Sequence, residues 1–197
     1  MSTQAPSRRE PTETEKLIGR YVRSLLGTDT SVHRYADDRE AHDLFIATGS
    51  DWPIEGVTSY GTIGLSNYPV PVGCDRVNLE LLGACATATK NFDNVIASCA
   101  IERMKNGSPI TYGSTIRDVV AQYAISQTME HVFFASPFLW EGFAPRCFAG
   151  TEVHWLMAIP ISESELAYLE GHGSNSLEAR FEAAQIDVFD ISRPPVV

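Results

Sequence analysis

Trp52–Asn67 reads W-P-I-E-G-V-T-S-Y-G-T-I-G-L-S-N, and the fold turns on this stretch. Pro53 and Gly56 mark a loop. The β-branched and aromatic residues from Thr58 to Ile63 then predict a strand. Gly61 and Gly64 leave gaps in its side-chain surface, as expected where another backbone or a large ring packs close. Upstream, Val32–Tyr35 and His42–Thr48 read as two strands around a charged turn at Asp37–Asp38, a hairpin. Downstream, Pro69–Pro71 breaks the chain. Arg76–Ala84 then alternates Val77, Leu79 and Leu81 against Asn78, Glu80 and Leu82, which predicts a strand with a partly covered second face. His131–Phe134 and Val153–Ile159 are further strands, the latter ended by Pro160, and Ile186–Ile191 returns as a final one.

Helices punctuate this run. Thr12 with Glu15 forms a capping-box pattern, followed by Leu17, Ile18, Tyr21, Val22, Leu25 and Leu26 on one face and a stop at Gly27. Phe92, Val95, Ile96, Cys99, Ala100 and Arg103 keep the same spacing up to Gly107. Ser162 with Glu165 repeats the capping box for a short helix closing near Gly171, and Ser176–Gln185 supplies the last helix. Thr111–Tyr123 is ambiguous. The pattern predicts one α+β domain over residues 12–197, with a largely antiparallel or mixed sheet and flanking helices. Residues 1–11, rich in Ser, Pro and charge, read as a disordered arm. Periodicity puts Leu81, Val95, Ile96 and Leu156 in the core.

Composition narrows the function. The chain has 197 residues, 44% of them hydrophobic and 20% charged, as expected of a soluble globular protein. Its net charge is −10; from Glu141 onward nine acidic residues face three arginines and no lysine. That balance opposes binding to nucleic acid phosphates or an anionic membrane, and it suits a basic partner as well as simple solubility. Residues 1–16 are polar and lack a secretory pattern, and no apolar run approaches the roughly 20 residues a membrane helix needs. A cytoplasmic protein is expected. Cys74, Cys85, Cys99 and Cys147 show no zinc spacing and read as buried free thiols.

A search for chemistry returns little. No G-x-S-x-G elbow occurs, and neither phosphate-binding glycine pattern is present. His33, His42, His131, His154 and His172 show no metalloprotease spacing; His131 and His154 fall in predicted strands, and His154 reads as a hydrogen-bonded core residue. Asp37 and Asp38 belong to a turn, and Glu163 and Glu165 to a helix start. No catalytic residue, metal or cofactor is expected. Phe133 to Phe143 is the densest apolar stretch. It reads as core with a buried turn, or as a partial anchor in which Trp140 beside Glu141 meets a basic partner. Trp52 in its loop invites the same two readings. Asp187 and Asp190 are either rim residues of a binding surface or a solvated strand edge.

Several of these segments, in this order, resemble the suppressor-of-fused family in its bacterial single-domain form. They are Trp52-Pro53 with Gly56-Val57-Thr58, the T-x-G-L-S pattern of Thr62–Ser66, and Pro137-Phe138-Leu139-Trp140. Pro160-Ile161-Ser162 with Glu165 and the ending Asp187–Val197 complete the set, so the resemblance runs from about His33 to Val197. It implies a protein-binding domain without catalytic residues. Animal members restrain transcription factors, and bacterial members are associated with polymorphic toxin systems as immunity proteins. The expected function is neutralisation of a cognate toxin, plausibly a basic nuclease, with Trp52, Trp140, Glu141, Asp187 and Asp190 as candidate contacts. A regulatory module acting on a transcription factor or enzyme is the alternative, and an unrecognised hydrolase a third.

Overall fold

A computed structural model describes residues 9–197 apart from Cys74. Helix α1 (Glu13–Leu25) starts where the sequence places it. Thr12 Oγ1 accepts the Glu15 N–H, and Glu15 returns a carboxylate to the Thr12 N–H. Strands β1 (Thr30–Ala36) and β2 (Asp43–Ser50) form the expected hairpin, and Asp37 caps its turn by accepting the Ala41 N–H at 2.8 Å. Next come β3 (Val57–Ile63), β4 (Val70–Val72), β5 (Asp75–Ala86) and helix α2 (Phe92–Asn106). The ambiguous 111–123 stretch is mostly irregular, holding the two-residue β6 (Thr115–Ile116) and a short 3-10 turn. Strands β7 (His131–Ala135), β8 (Arg146–Phe148) and β9 (Thr151–Ile161) lead into α3 (Glu163–His172) and α4 (Ser174–Ala184).

The mixed sheet runs β1-β2-β3-β5-β9-β7-β6, with β4 beside β5 and β8 beside β9. Among the described residues only β5 with β9 is parallel; the crossover between them carries α2 and the 107–148 segments. Both faces are covered. On one face Leu44, Ile46, Tyr60 and Leu81 pack on Val95, Ile96 and Cys99 of α2. On the other, Ala47, Ile63, Leu82 and Phe133 pack on Ile18 and Val22 of α1, Leu166 of α3 and Leu177 of α4. The second face of β5, expected to be partly covered, is therefore fully buried from Leu79 to Cys85. At Gly61 the close neighbour is neither the backbone nor the large ring expected but an aliphatic side chain: an added Cβ would sit 2.6 Å from Val22 Cγ1, so α1 could not lie this close to β3.

Other expectations about the strands need correction. Pro160 does not end β9, because pairing with β5 stops at Met157 and the missing N–H breaks no ladder bond beyond that point. Pro71 does not break the sheet either; it lies in β4, where proline is tolerated on an edge strand. Ile186–Ile191 is not a strand. Asp187 Oδ1 accepts the Phe189 N–H at 2.9 Å and Asp190 Oδ1 the Ser192 N–H at 2.8 Å, so local turns win over extended pairing. The segment instead rounds the end of the sheet, with Ile186 on one core cluster and Ile191 in the other. At the base of the expected arm, the Arg9 guanidinium bonds Glu15 at 2.8 Å and Asp43 at 2.9 Å. Residues 1–8 of that arm fall outside the described residues.

The thiols divide. Cys85 and Cys99 are buried, Cys147 is exposed because β8 is an outer strand, and Cys74 falls outside the described residues. Among the described residues no helix is long and apolar enough to cross a membrane. Leu81, Val95 and Ile96 are fully buried, whereas Leu156 is only partly so. Truncating any of the first three to Ala is expected to cost about 2–5 kcal/mol, read as a lower urea midpoint, and Leu156→Ala clearly less.

Candidate partner-binding surface

The T-x-G-L-S pattern turns out to be a socket for one buried carboxylate. Glu80 has no solvent exposure. Its Oε1 accepts the Gly64 N–H at 2.8 Å, the Ser66 N–H at 3.1 Å and the Ser66 hydroxyl at 2.8 Å. Its Oε2 accepts the Thr62 hydroxyl at 2.6 Å and the Leu65 N–H at 3.2 Å. Burial pushes the Glu80 carboxyl above the ordinary glutamate range, and these donors pull against that rise. Gly64 turns at φ +115, a backbone state that favours glycine, so its N–H can reach the carboxylate. Sequence reasoning saw the pattern and missed its ligand, because Glu80 looked like the polar member of an alternating strand.

The aromatic segments are coupled in the same way. The Trp140 indole N–H donates to Ser59 Oγ at 3.0 Å, and the Ser59 hydroxyl donates to the Trp52 carbonyl at 2.6 Å. Phe143 packs edge-on between Trp140 and Trp155, at centroid distances of 6.0 and 4.9 Å. Trp140 is only 7% exposed, so the reading of it as a surface anchor is corrected: its ring lies in the core and its polar atom is spent on Ser59. Glu141, beside it, is exposed. Trp52, after which the chain turns through a cis bond to Pro53, is 41% exposed.

The acidic loop lies at the same end of the sheet. The Ala86 N–H donates to the Phe189 carbonyl at 3.0 Å, Ala86 pairs with Val57, and the Val57 carbonyl accepts the Trp52 N–H. Trp52, Asp187 and Asp190 thus share one rim, with both aspartates exposed. A second buried carboxylate ties down the tail beyond them. Glu165 accepts both arms of Arg193, at 2.6 and 3.0 Å, together with the Ser162 and Val196 N–H groups. The capping box foretold the Ser162 bond but not the arginine.

The two strand histidines lie apart, His131 of β7 facing Ile161 of β9 rather than His154. His154 is half-exposed beside Glu152 at 3.2 Å, not a core residue, since it points away from the covered part of β9. His131 is buried and gathers Asp118 and Glu130 around it. Its Nδ1 accepts the Asp118 N–H at 2.8 Å, which leaves Nε2 as the N–H donor to Glu163 at 2.8 Å. Both ring nitrogens are engaged.

One feature of the surface was not legible at all. A groove of about 700 Å³ opens between α4 and the β7–β9 part of the sheet, walled by Phe138, Ile159, Phe181, Ile186 and Val188. Phe138 is 61% exposed at its mouth, next to Tyr112.

The model for suppressor of fused protein (SUFU) matches residues 39–194. The chain belongs to the suppressor of fused family. The SUFU chain is 36% identical over 189 residues to immunity protein YqcF of Bacillus subtilis (strain 168), covering 94% of this chain and 98% of that protein. The crystal structure of a SUFU homolog from Neisseria gonorrhoeae superposes with a TM-score of 0.67 at 18% identity, covering 94% of this chain and 95% of that one. A chain of the Sufu–Fu complex gives 0.65 at 10% identity, covering 95% and 93%. These two share the fold, a nine-stranded mixed sheet with helices on both faces.

Proposed function

We propose that this SUFU protein is an immunity protein, a non-catalytic binder that covers and inactivates a cognate toxin of a polymorphic toxin system. The observation that carries the reading is its likeness, at 36% identity over nearly the full length of both chains, to a protein named as an immunity protein. The chemistry agrees. The conspicuous buried carboxylates, Glu80 and Glu165, are saturated with donors and serve the scaffold. Exposed carboxylates at Glu141, Asp187 and Asp190 and a net charge of −10 favour a basic partner, such as a nuclease domain that itself binds phosphates. Binding takes place in the cytoplasm, where the toxin would otherwise act on its own cell.

The test starts from the neighbouring genes: one ending in a small toxin domain is expected, and that domain is expressed in a host whose growth is followed. Co-expression of the SUFU protein is expected to restore growth, and continued arrest despite soluble SUFU protein would reject the immunity reading.

Charge at the rim should show in the association rate. Glu141→Lys combined with Asp187→Asn and Asp190→Asn keeps the turn acceptors but removes rim charge. It is expected to slow association by about tenfold at low salt, with the loss fading as salt shortens the screening length. Stopped-flow binding across a salt series checks this; a rate indifferent to both salt and substitution would remove the steering argument.

A further inference from the structure

We propose that the groove beside α4 is the docking site for a cationic amphipathic segment of the toxin, an assignment that rests on the immunity reading above. Two observations point to a ligand. First, Phe138 at 61% and Tyr112 at 44% are among the few large hydrophobic side chains exposed in the described residues, and both line this one groove. Single exposed apolar residues are ordinary, but convergence of exposed aromatics on an apolar trough marks a contact surface. A volume of about 700 Å³ accommodates several side chains.

Second, the charged side chains that line the groove have one sign; Arg193, behind the Phe181 ring, is buried and paired with Glu165. Glu178 and Glu182 stand one helical turn apart on α4 and both line the groove, while no lysine or arginine among the described residues does. The arginine of α4, Arg180, is committed elsewhere: its Nε donates to the Tyr168 hydroxyl at 3.3 Å and its guanidinium lies over the Tyr168 ring. Glu182 is exposed and makes no side-chain hydrogen bond or ion pair among the described residues. The Tyr112 hydroxyl donates to Glu178 Oε2 at 2.6 Å, which fixes both side chains at the rim and leaves Oε1 open. Asp187, exposed between Ile186 and Val188 of the groove wall, adds a third negative charge nearby. An apolar trough with a carboxylate rim fits a segment whose apolar side chains enter the trough and whose lysines or arginines reach the rim.

Two probes test the groove. The first is a fluorescein-labelled peptide of about 18 residues, five helical turns, with leucine on one face and lysine on the other. The control peptide has the same lysines with serine in place of leucine. The leucine peptide is expected to bind the full-length protein, and Phe138→Ala or the double change Glu178→Gln, Glu182→Gln to weaken it about tenfold at low salt. Phe138 and Glu182 are exposed, so thermal melting should match the unsubstituted protein and exclude misfolding as the cause. Equal binding of the serine peptide, or affinity unmoved by these substitutions, overturns the groove.

The second probe is the toxin domain itself in the growth assay. Loss of protection with Phe138→Ala, alongside unchanged melting, supports the groove. Full protection by that variant overturns it as the toxin's docking site while the immunity reading stands. Failure of the unsubstituted protein to protect rejects the immunity reading and with it the toxin as occupant; the peptide then decides alone whether the groove takes cationic amphipathic segments.

Discussion

Glu80→Ala is expected to cost about 3–5 kcal/mol, a large share of the roughly 5–15 kcal/mol that holds a domain folded. The loss is not that of one contact. Two hydroxyls and three backbone N–H groups converge on the carboxylate from Thr62, Gly64, Leu65 and Ser66, in a site closed to water. Without it those donors stay buried and unpaired, and each costs about 1–3 kcal/mol of desolvation unless the loop moves. Moving the loop is itself costly, because Leu65 is fully buried and the Leu81 N–H donates to Thr62 Oγ1 at 2.7 Å. Glu80→Gln keeps the shape but turns an amide NH2 toward donors, so a smaller loss of about 2 kcal/mol is expected. Urea unfolding gives both values from the midpoint shift at constant slope. A midpoint unchanged by Glu80→Ala would mean that the socket contributes nothing net.

Arg193→Ala carries the second large effect. Glu165 is fully buried and Arg193 is 5% exposed, so removing the cation strands a carboxylate in the protein interior. About 3–5 kcal/mol is expected from that alone. The guanidinium also donates to the Pro160 carbonyl at 3.2 Å and lies over the Phe181 ring, binding the tail to β9, α3 and α4 together. Arg193→Lys should recover only part of the loss, since an ammonium cannot span Glu165 and Pro160 as a planar fork does. The change should also expose the chain after Ile191 to a carboxypeptidase. Retention of both stability and tail protection in Arg193→Ala would show the ion pair to be dispensable.

Local signals carried most of the fold. Thr12–Glu15 and Ser162–Glu165 mark two helix starts within four residues of sequence, and the β1–β2 hairpin follows from its turn chemistry. Partners far apart in the chain were hidden. Thr62 and Glu80 are 18 residues apart and Glu165 and Arg193 are 28 apart, so each looked like an ordinary polar position until folding paired them. Ile186–Ile191 misled because its apolar alternation is that of a strand, whereas two aspartates bonding two residues ahead turn it into a loop. Trp140 drew attention as the largest side chain beside an acid; Phe138, two residues earlier, is the one at the surface. The groove itself is assembled from segments as distant as Tyr112 and Val188, which periodicity cannot join.

This SUFU protein is proposed to inactivate a toxin by binding it. Titration of the purified toxin domain's activity with the purified protein tests it most directly. Activity is predicted to fall linearly and reach zero near one equivalent, with a stable complex on size exclusion. A toxin whose activity persists at several equivalents of folded SUFU protein, with no complex formed, would rule out inactivation by binding.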